Sequence, residues 1–158
     1  MKLKDRLKNI TPVGFDAAGE IRIFGFGTPL CTLFSLEFFI KLNNEIGNLY
    51  FINGKTKYLD PKAVMPSFRE VLGGSLLPFA ALFLVLLSYI FLHYEYHKRG
   101  SKSIYLMKRL PQKNELAKRC VTLPLILSLT VLILAAILFC IFYFVYFIKT
   151  PEGLIAVF

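Results

Sequence analysis

The stretch that decides the fold is Val121–Ile148, which reads VTLPLILSLTVLILAAILFCIFYFVYFI and contains no charged residue. A helix that crosses the hydrocarbon core of a bilayer needs about 20 consecutive apolar residues, and this run exceeds that length. The apolar part of a secretory signal is much shorter and lies at the N-terminus. The sequence therefore predicts a transmembrane helix here, and every further inference takes the membrane as the solvent.

Composition limits the class of protein. The chain has 158 residues, of which 56% are apolar, and its mean hydropathy is +0.58. These values favour one small polytopic membrane domain over a large soluble enzyme on an anchor. The net charge is +9. Since the basic residues flank apolar segments, membrane orientation and attraction to anionic lipid explain this charge, and we do not expect nucleic acid as a partner.

Two further apolar segments are candidates for crossings. The segment 72–93 is long enough to span the membrane, and Pro78 lies in its first turns, where a missing N–H costs little. The segment 21–40 is weaker because it contains Arg22, Glu37, glycines and a proline. By itself it could cross the membrane, lie in the interface, or enter and turn back.

The distribution of charge favours a true crossing for 21–40. The loop 94–120 has eight basic residues and two acidic ones: Lys98, Arg99, Lys102, Lys108, Arg109, Lys113, Lys118 and Arg119 against Glu95 and Glu115. By the positive-inside rule this loop is cytoplasmic, and the basic N-terminus should be cytoplasmic too. An even number of crossings must then precede residue 94, which gives three in total.

The predicted fold class is all-α: a polytopic helical membrane protein with three transmembrane helices, a short cytoplasmic coupling helix and a small external loop. The expected organisation is a single membrane domain, 1–158, made of a cytoplasmic N-terminus (1–20), crossings at 21–40, 72–93 and 121–148, an external loop (41–71), a cytoplasmic coupling loop (94–120) and an external tail (149–158). In the external loop, Asn53-Gly54 is a turn signal that predicts a hairpin.

Aromatic residues gather near the end of the last predicted helix. Phe142, Tyr143, Tyr146 and Phe147 fall where an aromatic belt meets the head groups. We expect these four rings to anchor the helix in lipid.

The cytoplasmic loop has a pattern of its own. Ser101 and Ser103 are candidate N-caps for a helix over Ser103–Leu110, and Pro111 ends it. Its apolar residues recur at helical spacing: Ile104, Leu106, Met107 and Leu110. The helix 112–119 then leads into the last crossing. The apolar face of the short helix could lie on the lipid interface or in a groove of a partner protein, and the residues alone favour neither.

The string Tyr96–Pro111, YHKRGSKSIYLMKRLP, followed by Glu115-Leu116, resembles the first cytoplasmic loop of export-type ABC transporter permeases. The resemblance covers residues 72–148. It implies that the helix docks in a cleft of a separate ATPase subunit and carries the closing motion of that subunit into the membrane. Such permeases usually have about six crossings, so this chain resembles half of one. The implied coupling residues are Ser103, Ile104, Met107, Lys108, Arg109, Leu110, Pro111 and Glu115.

Chemistry-bearing motifs are sparse. No glycine-rich phosphate-binding loop with its lysine is present, so no cofactor is expected on the chain itself, and ATP and Mg²⁺ would bind to the partner ATPase. No catalytic arrangement is evident, so we do not expect an enzyme. His93 and His97 share a helix face, but no third ligand accompanies them, and we predict no metal site. Glu37 is either a functional intramembrane acid or the i,i+4 partner of Lys41.

Together these patterns predict a multi-pass subunit of an ABC transporter in the bacterial plasma membrane, with a cytoplasmic N-terminus and an external C-terminus. It would couple ATP hydrolysis by its partner ATPase to export or to membrane rearrangement, together with another membrane subunit or a second copy of itself. The alternative is a non-transporting accessory, assembly or immunity protein that binds a transporter or another membrane partner.

Overall fold

The computed structural model describes residues 17–53, 56–59, 63–99 and 115–150. The elements in chain order are α1 (Ala18–Ser35), α2 (Glu37–Asn48), β1 (Tyr50–Asn53), β2 (Thr56–Leu59), α3 (Phe68–Leu72), α4 (Leu77–Arg99) and α5 (Glu115–Lys149). Three helical stretches are long and apolar enough to span a membrane: Ala18–Asn48, Leu77–Tyr96 and Ala117–Lys149. The predicted class, a helical membrane protein with three crossings, is therefore confirmed.

The first helical stretch extends beyond the predicted crossing 21–40. It is interrupted at Leu36, where Leu36 N–H donates to Leu33 O and Phe39 N–H donates to Leu36 O, so each of these hydrogen bonds spans three residues instead of four. α2 then continues to Asn48, into the segment predicted as external loop. The physical reason is amphipathicity: Phe38 and Leu42 lie four residues apart and are fully buried, whereas Asn43 and Asn44 lie on the exposed face of the helix.

The predicted hairpin is present after α2. Strands β1 and β2 pair in antiparallel fashion, with Tyr50 opposite Leu59 and Asn53 opposite Thr56. In this register Ile52 pairs with Lys57, whereas a two-residue turn at Asn53-Gly54 would pair residue 52 with residue 55.

α5 unites two predicted segments. The helix expected over 112–119 and the crossing 121–148 form one continuous helix from Glu115, with Pro124 in its interior. α4 likewise continues to Arg99, so the described ends of the predicted coupling loop 94–120 are helical. The predicted coupling helix Ser103–Leu110 lies outside the described residues.

The chain divides into two compact units. The first comprises Met1–Leu30 and Phe79–Ile133, and the second comprises Cys31–Pro78 and Leu134–Phe158. In the first unit α1 and α4 approach closely at Gly27, where an added Cβ would lie 2.7 Å from Leu82 Cδ1. Small residues permit this kind of approach between transmembrane helices. Large apolar side chains such as Leu129 and Ile133 remain exposed, as expected of a surface that meets lipid.

The second unit has an aromatic core. Its buried members are Phe38, Leu42, Leu49, Met65, Val71, Phe142 and Tyr146. Phe142 stacks on Phe38 with ring centroids 4.4 Å apart, and Phe68 meets Tyr146 edge to face at 5.5 Å. This core holds α2, α3 and the end of α5 together.

The expectation that four rings of the last helix anchor it in lipid is wrong for two of them. Phe142 and Tyr146 are buried in the core, whereas Tyr143 and Phe147 are exposed. The reason is helical periodicity. Each pair lies four residues apart, so one pair faces the protein and the other faces outward.

Candidate functional site

The first unit contains a buried pair of ionisable side chains. Glu20 lies in the first turn of α1 and His93 lies near the end of α4, and neither side chain is exposed at all. His93 Nε2 is in hydrogen-bonding contact with Glu20 Oε1. Ionisable residues inside transmembrane segments are costly, and they often mark functional positions. This pair is therefore the candidate site.

The other hydrogen-bond partner of His93 is the backbone carbonyl of Cys120, which Pro124 leaves without its usual helical donor. In an α-helix the carbonyl of Cys120 would accept from the N–H of residue 124, but residue 124 is proline and has no N–H. His93 Nδ1 lies 2.9 Å from that free carbonyl, in a buried position. The imidazole thus replaces the missing donor of α5 and links α4 to α5, while Glu20 links α4 to α1.

The acceptor at Cys120 determines the tautomer of His93. A carbonyl oxygen can only accept, so Nδ1 carries the hydrogen and donates it. The contact between Nε2 and Glu20 Oε1 then needs one more hydrogen, either on the nitrogen or on the oxygen. In both arrangements the pair holds one proton between its two members and has no net charge.

The carboxyl group of Glu20 has a second oxygen with different surroundings. Glu20 Oε2 is buried and has no hydrogen-bond partner within the part of the chain that the structure describes. An uncompensated carboxylate in such a place is expensive, whereas a pair that is neutral overall avoids that cost. The ring of Tyr89, one turn earlier on α4, lies 6.5 Å from the His93 ring and adds an aromatic wall.

The predicted coupling residues are almost all outside the described ranges. Ser103, Ile104, Met107, Lys108, Arg109, Leu110 and Pro111 lie in the segment 100–114, which the structure does not describe. Glu115 is the first residue of α5.

Glu37, the predicted intramembrane acid, forms an ion pair. Its Oε1 lies 2.7 Å from Lys41 Nζ, and both side chains are about half exposed. This is the i,i+4 pairing that the sequence offers as the simpler alternative. A functional role for Glu37 stays a prediction.

No metal centre is evident where the chain is described. Residues 17–53, 56–59, 63–99 and 115–150 contain no group of three histidine, cysteine or carboxylate side chains arranged to hold a metal ion. His93 directs both ring nitrogens to Glu20 and Cys120.

The second unit contains an open cleft of about 420 Å³, lined by Lys41, Glu45, Pro66, Glu70 and Val71. Two of its polar groups have structural partners: Lys41 pairs with Glu37, and Glu70 caps a helix. Glu70 accepts from the backbone N–H of Ser67 at 2.9 Å and completes a capping box at the start of α3. The cleft is therefore explained by the local fold.

The Glu20–His93 pair was missed because the predicted boundaries place Glu20 in the cytoplasmic N-terminus. A signal was nevertheless present. The expected crossings begin at 21, end at 93 and begin again at 121, so Glu20, His93 and Cys120 occupy the same membrane depth in that topology. Comparing residues by depth, rather than by segment, would have found the site.

The fold and the site define a multi-pass helical membrane protein with a buried polar link between its crossings. No protein-family model, curated protein or solved structure matches the chain.

Proposed function

We propose that this chain is the membrane-spanning subunit of an ABC transporter, which couples ATP hydrolysis by a partner ATPase to export or to membrane rearrangement. The proposal includes a bacterial plasma membrane, a cytoplasmic N-terminus and an external C-terminus. Its support in the sequence is the motif over 96–111 and the basic character of the loop that contains it. A second membrane subunit or a second copy of the chain would complete the usual number of crossings.

The structural observation that supports the proposal most directly is the link at His93. This residue lies within two turns of the end of α4, and Cys120 lies within two turns of the start of α5. Their hydrogen bond joins the two helices just before and just after the segment 100–114. A force applied to that segment would reach both helices together, and Glu20 would extend it to α1.

The proposed mechanism is mechanical. ATP and Mg²⁺ stay on the partner ATPase, whose closure pushes on the helix Ser103–Leu110. Ile104, Met107 and Leu110 provide apolar contact in a groove, and Lys108 and Arg109 pair with acidic groups of the ATPase. α4 and α5 then tilt in response.

Replacing Met107 and Leu110 by aspartate tests this function. We expect the double variant to insert into the membrane at wild-type level and to lose the ATPase when the complex is purified in mild detergent. Tyr105→Asp is the control for each single aspartate, because it adds one negative charge on another face of the same predicted helix. Purification of the wild-type chain without any nucleotide-hydrolysing protein would contradict the proposal.

The second candidate is a non-transporting accessory, assembly or immunity protein. The observation that favours it is the exposure of apolar residues in and after the hairpin: Tyr50 and Tyr58 are accessible on its two opposite faces, and Val64, which follows, is exposed. A partner would then dock on the external side. In that case Tyr50→Ser with Tyr58→Ser would release the partner, while the Met107 and Leu110 variants would retain it. The two candidates therefore predict opposite outcomes in one pair of purifications.

A further inference from the structure

We infer that Glu20 and His93 form an occluded proton-binding site, which holds one proton while the helices are packed and loses it when they separate above about pH 6. The inference rests on the hydrogen-bond inventory of the site. Nδ1–H donates to Cys120 O at 2.9 Å, so the contact between Nε2 and Glu20 Oε1 must contain a single additional hydrogen. That hydrogen lies on the nitrogen or on the oxygen, and both positions give the pair one proton and no net charge.

Burial explains why the packed site keeps that proton. Both side chains are fully buried. Loss of the proton would leave a carboxylate beside a neutral imidazole, and gain of another would leave an imidazolium beside a neutral acid. Either change places one uncompensated charge in a fully buried site, which is strongly unfavourable. The packed arrangement therefore favours the state in which the pair shares one proton.

Among the side chains that the structure describes, the charged residues nearest to the pair along these helices lie outside the buried site. On α1 Arg22 is exposed, on α4 Glu95 is exposed, and on α5 Lys118 is exposed and Arg119 half-buried. His93 contacts the carboxyl of Glu20 on α1 and the carbonyl of Cys120 on α5.

Separation of the helices changes the number of bound protons. In water a free glutamate titrates near pH 4.3 and a free histidine near pH 6.5, so a separated pair at pH 7 holds only about a quarter of a proton. Opening therefore releases about three-quarters of a proton at pH 7 and nearly a whole one at pH 8. Since the packed state binds more protons, a rise in pH disfavours it.

The substitution Glu20→Gln should reverse the direction in which pH changes the stability of the packed state. A glutamine amide can donate to His93 Nε2, so the packed variant contains a neutral pair that binds no additional proton. Its separated histidine still binds a proton below about pH 6.5, so a rise in pH favours the packed state of the variant. Between pH 5.5 and pH 8 the folded-to-unfolded ratio should fall about 30-fold in the wild type through this site and rise about tenfold in the variant.

The experiment is reversible unfolding of the full chain in mixed micelles as SDS increases, at a series of pH values. Other groups titrate equally in both proteins, so the ratio of their unfolding constants isolates the site and should change about 300-fold over this range. Glu37→Gln is the matched control. Its carboxylate is half exposed and paired with Lys41, so the curve of this variant should stay parallel to that of the wild type. Parallel curves for wild type and Glu20→Gln would overturn the inference.

A second measurement needs no change at the site. The chain has two histidines, so His97→Gln leaves His93 as the only one, and its ring nitrogens can be followed by nitrogen-15 NMR in lipid nanodiscs. We expect a protonated Nδ1 and no titration between about pH 5 and pH 8, the range in which an exposed histidine changes state. A ring that titrates in this range would overturn the inference. Neither experiment requires an ATPase, so failure here and failure of the proposed function are distinguishable.

Discussion

Phe142→Ala is the most direct test of the aromatic core. Phe142 is 1% exposed, stacks on Phe38 at 4.4 Å with planes 13° apart, and meets Phe39 edge to face at 5.4 Å. Each such aromatic pair contributes about 0.5–1.5 kcal/mol beyond area burial. Removing both pairs should therefore lower the free energy of unfolding by about 1–3 kcal/mol.

This expected loss of unfolding free energy is smaller than the loss for a buried Phe→Ala substitution in the core of a soluble protein. There, replacing a buried phenylalanine by alanine costs about 3–5 kcal/mol, and part of that cost is transfer of the ring from water. In a membrane the separated helices stay in lipid, so little of the transfer contribution remains and packing accounts for the effect.

The assay for Phe142→Ala is reversible unfolding in SDS-containing mixed micelles, followed by circular dichroism. Phe144→Ala is the matched control, since Phe144 lies two residues further on the same helix and is 67% exposed. We expect the control to change the free energy of unfolding by less than about 0.5 kcal/mol. Equal losses for both variants would refute the reasoning, because the burial of Phe142 would then have no energetic consequence.

Two further predictions concern the second unit, and the same unfolding assay checks both. Tyr146→Phe removes the hydrogen bond from Tyr146 Oη to Pro66 O and should cost about 0.6–1 kcal/mol, while Tyr143→Phe on the exposed face should cost nothing measurable. Gly73→Ala should cost about 1–3 kcal/mol, because Gly73 has φ +48° and ψ −124° at the end of α3. Gly47→Ala, in the helical part of α2 with open space around it, should instead stabilise by about 0.5–1 kcal/mol, and a loss there would contradict the argument.

The features that the sequence predicts well are those set by local pattern. The charge-free run 121–148 could only be a spanning helix, and Asn53-Gly54 between two strand-like segments predicts the observed hairpin. The end of the first helical stretch was predicted less well. Lys41 and the polar residues after it resemble a loop, and the burial of Phe38 and Leu42 in the aromatic core keeps them helical.

The candidate site depends on information that no single segment contains. Glu20 is an ordinary polar residue at the predicted start of a crossing, and His93 is an ordinary amphipathic residue at the end of another. Their burial follows from the packing of α1 against α4, which requires a contact 73 residues apart in sequence. From the sequence alone, Pro124 is a proline that a helix tolerates. The structure shows that the carbonyl which it leaves without a helical donor accepts from His93.

The imidazole of His93 takes the place of the backbone N–H that Pro124 lacks, and this predicts how the sequences of relatives should differ. The acceptor belongs to the main chain, so any side chain that fits can stand at Cys120 without disturbing the bond. A relative that loses Pro124, by contrast, regains an internal helical bond, and its histidine must seek another partner. We expect relatives to keep or lose the proline, the histidine and the glutamate together, whereas the residue at the position of Cys120 should vary independently of them.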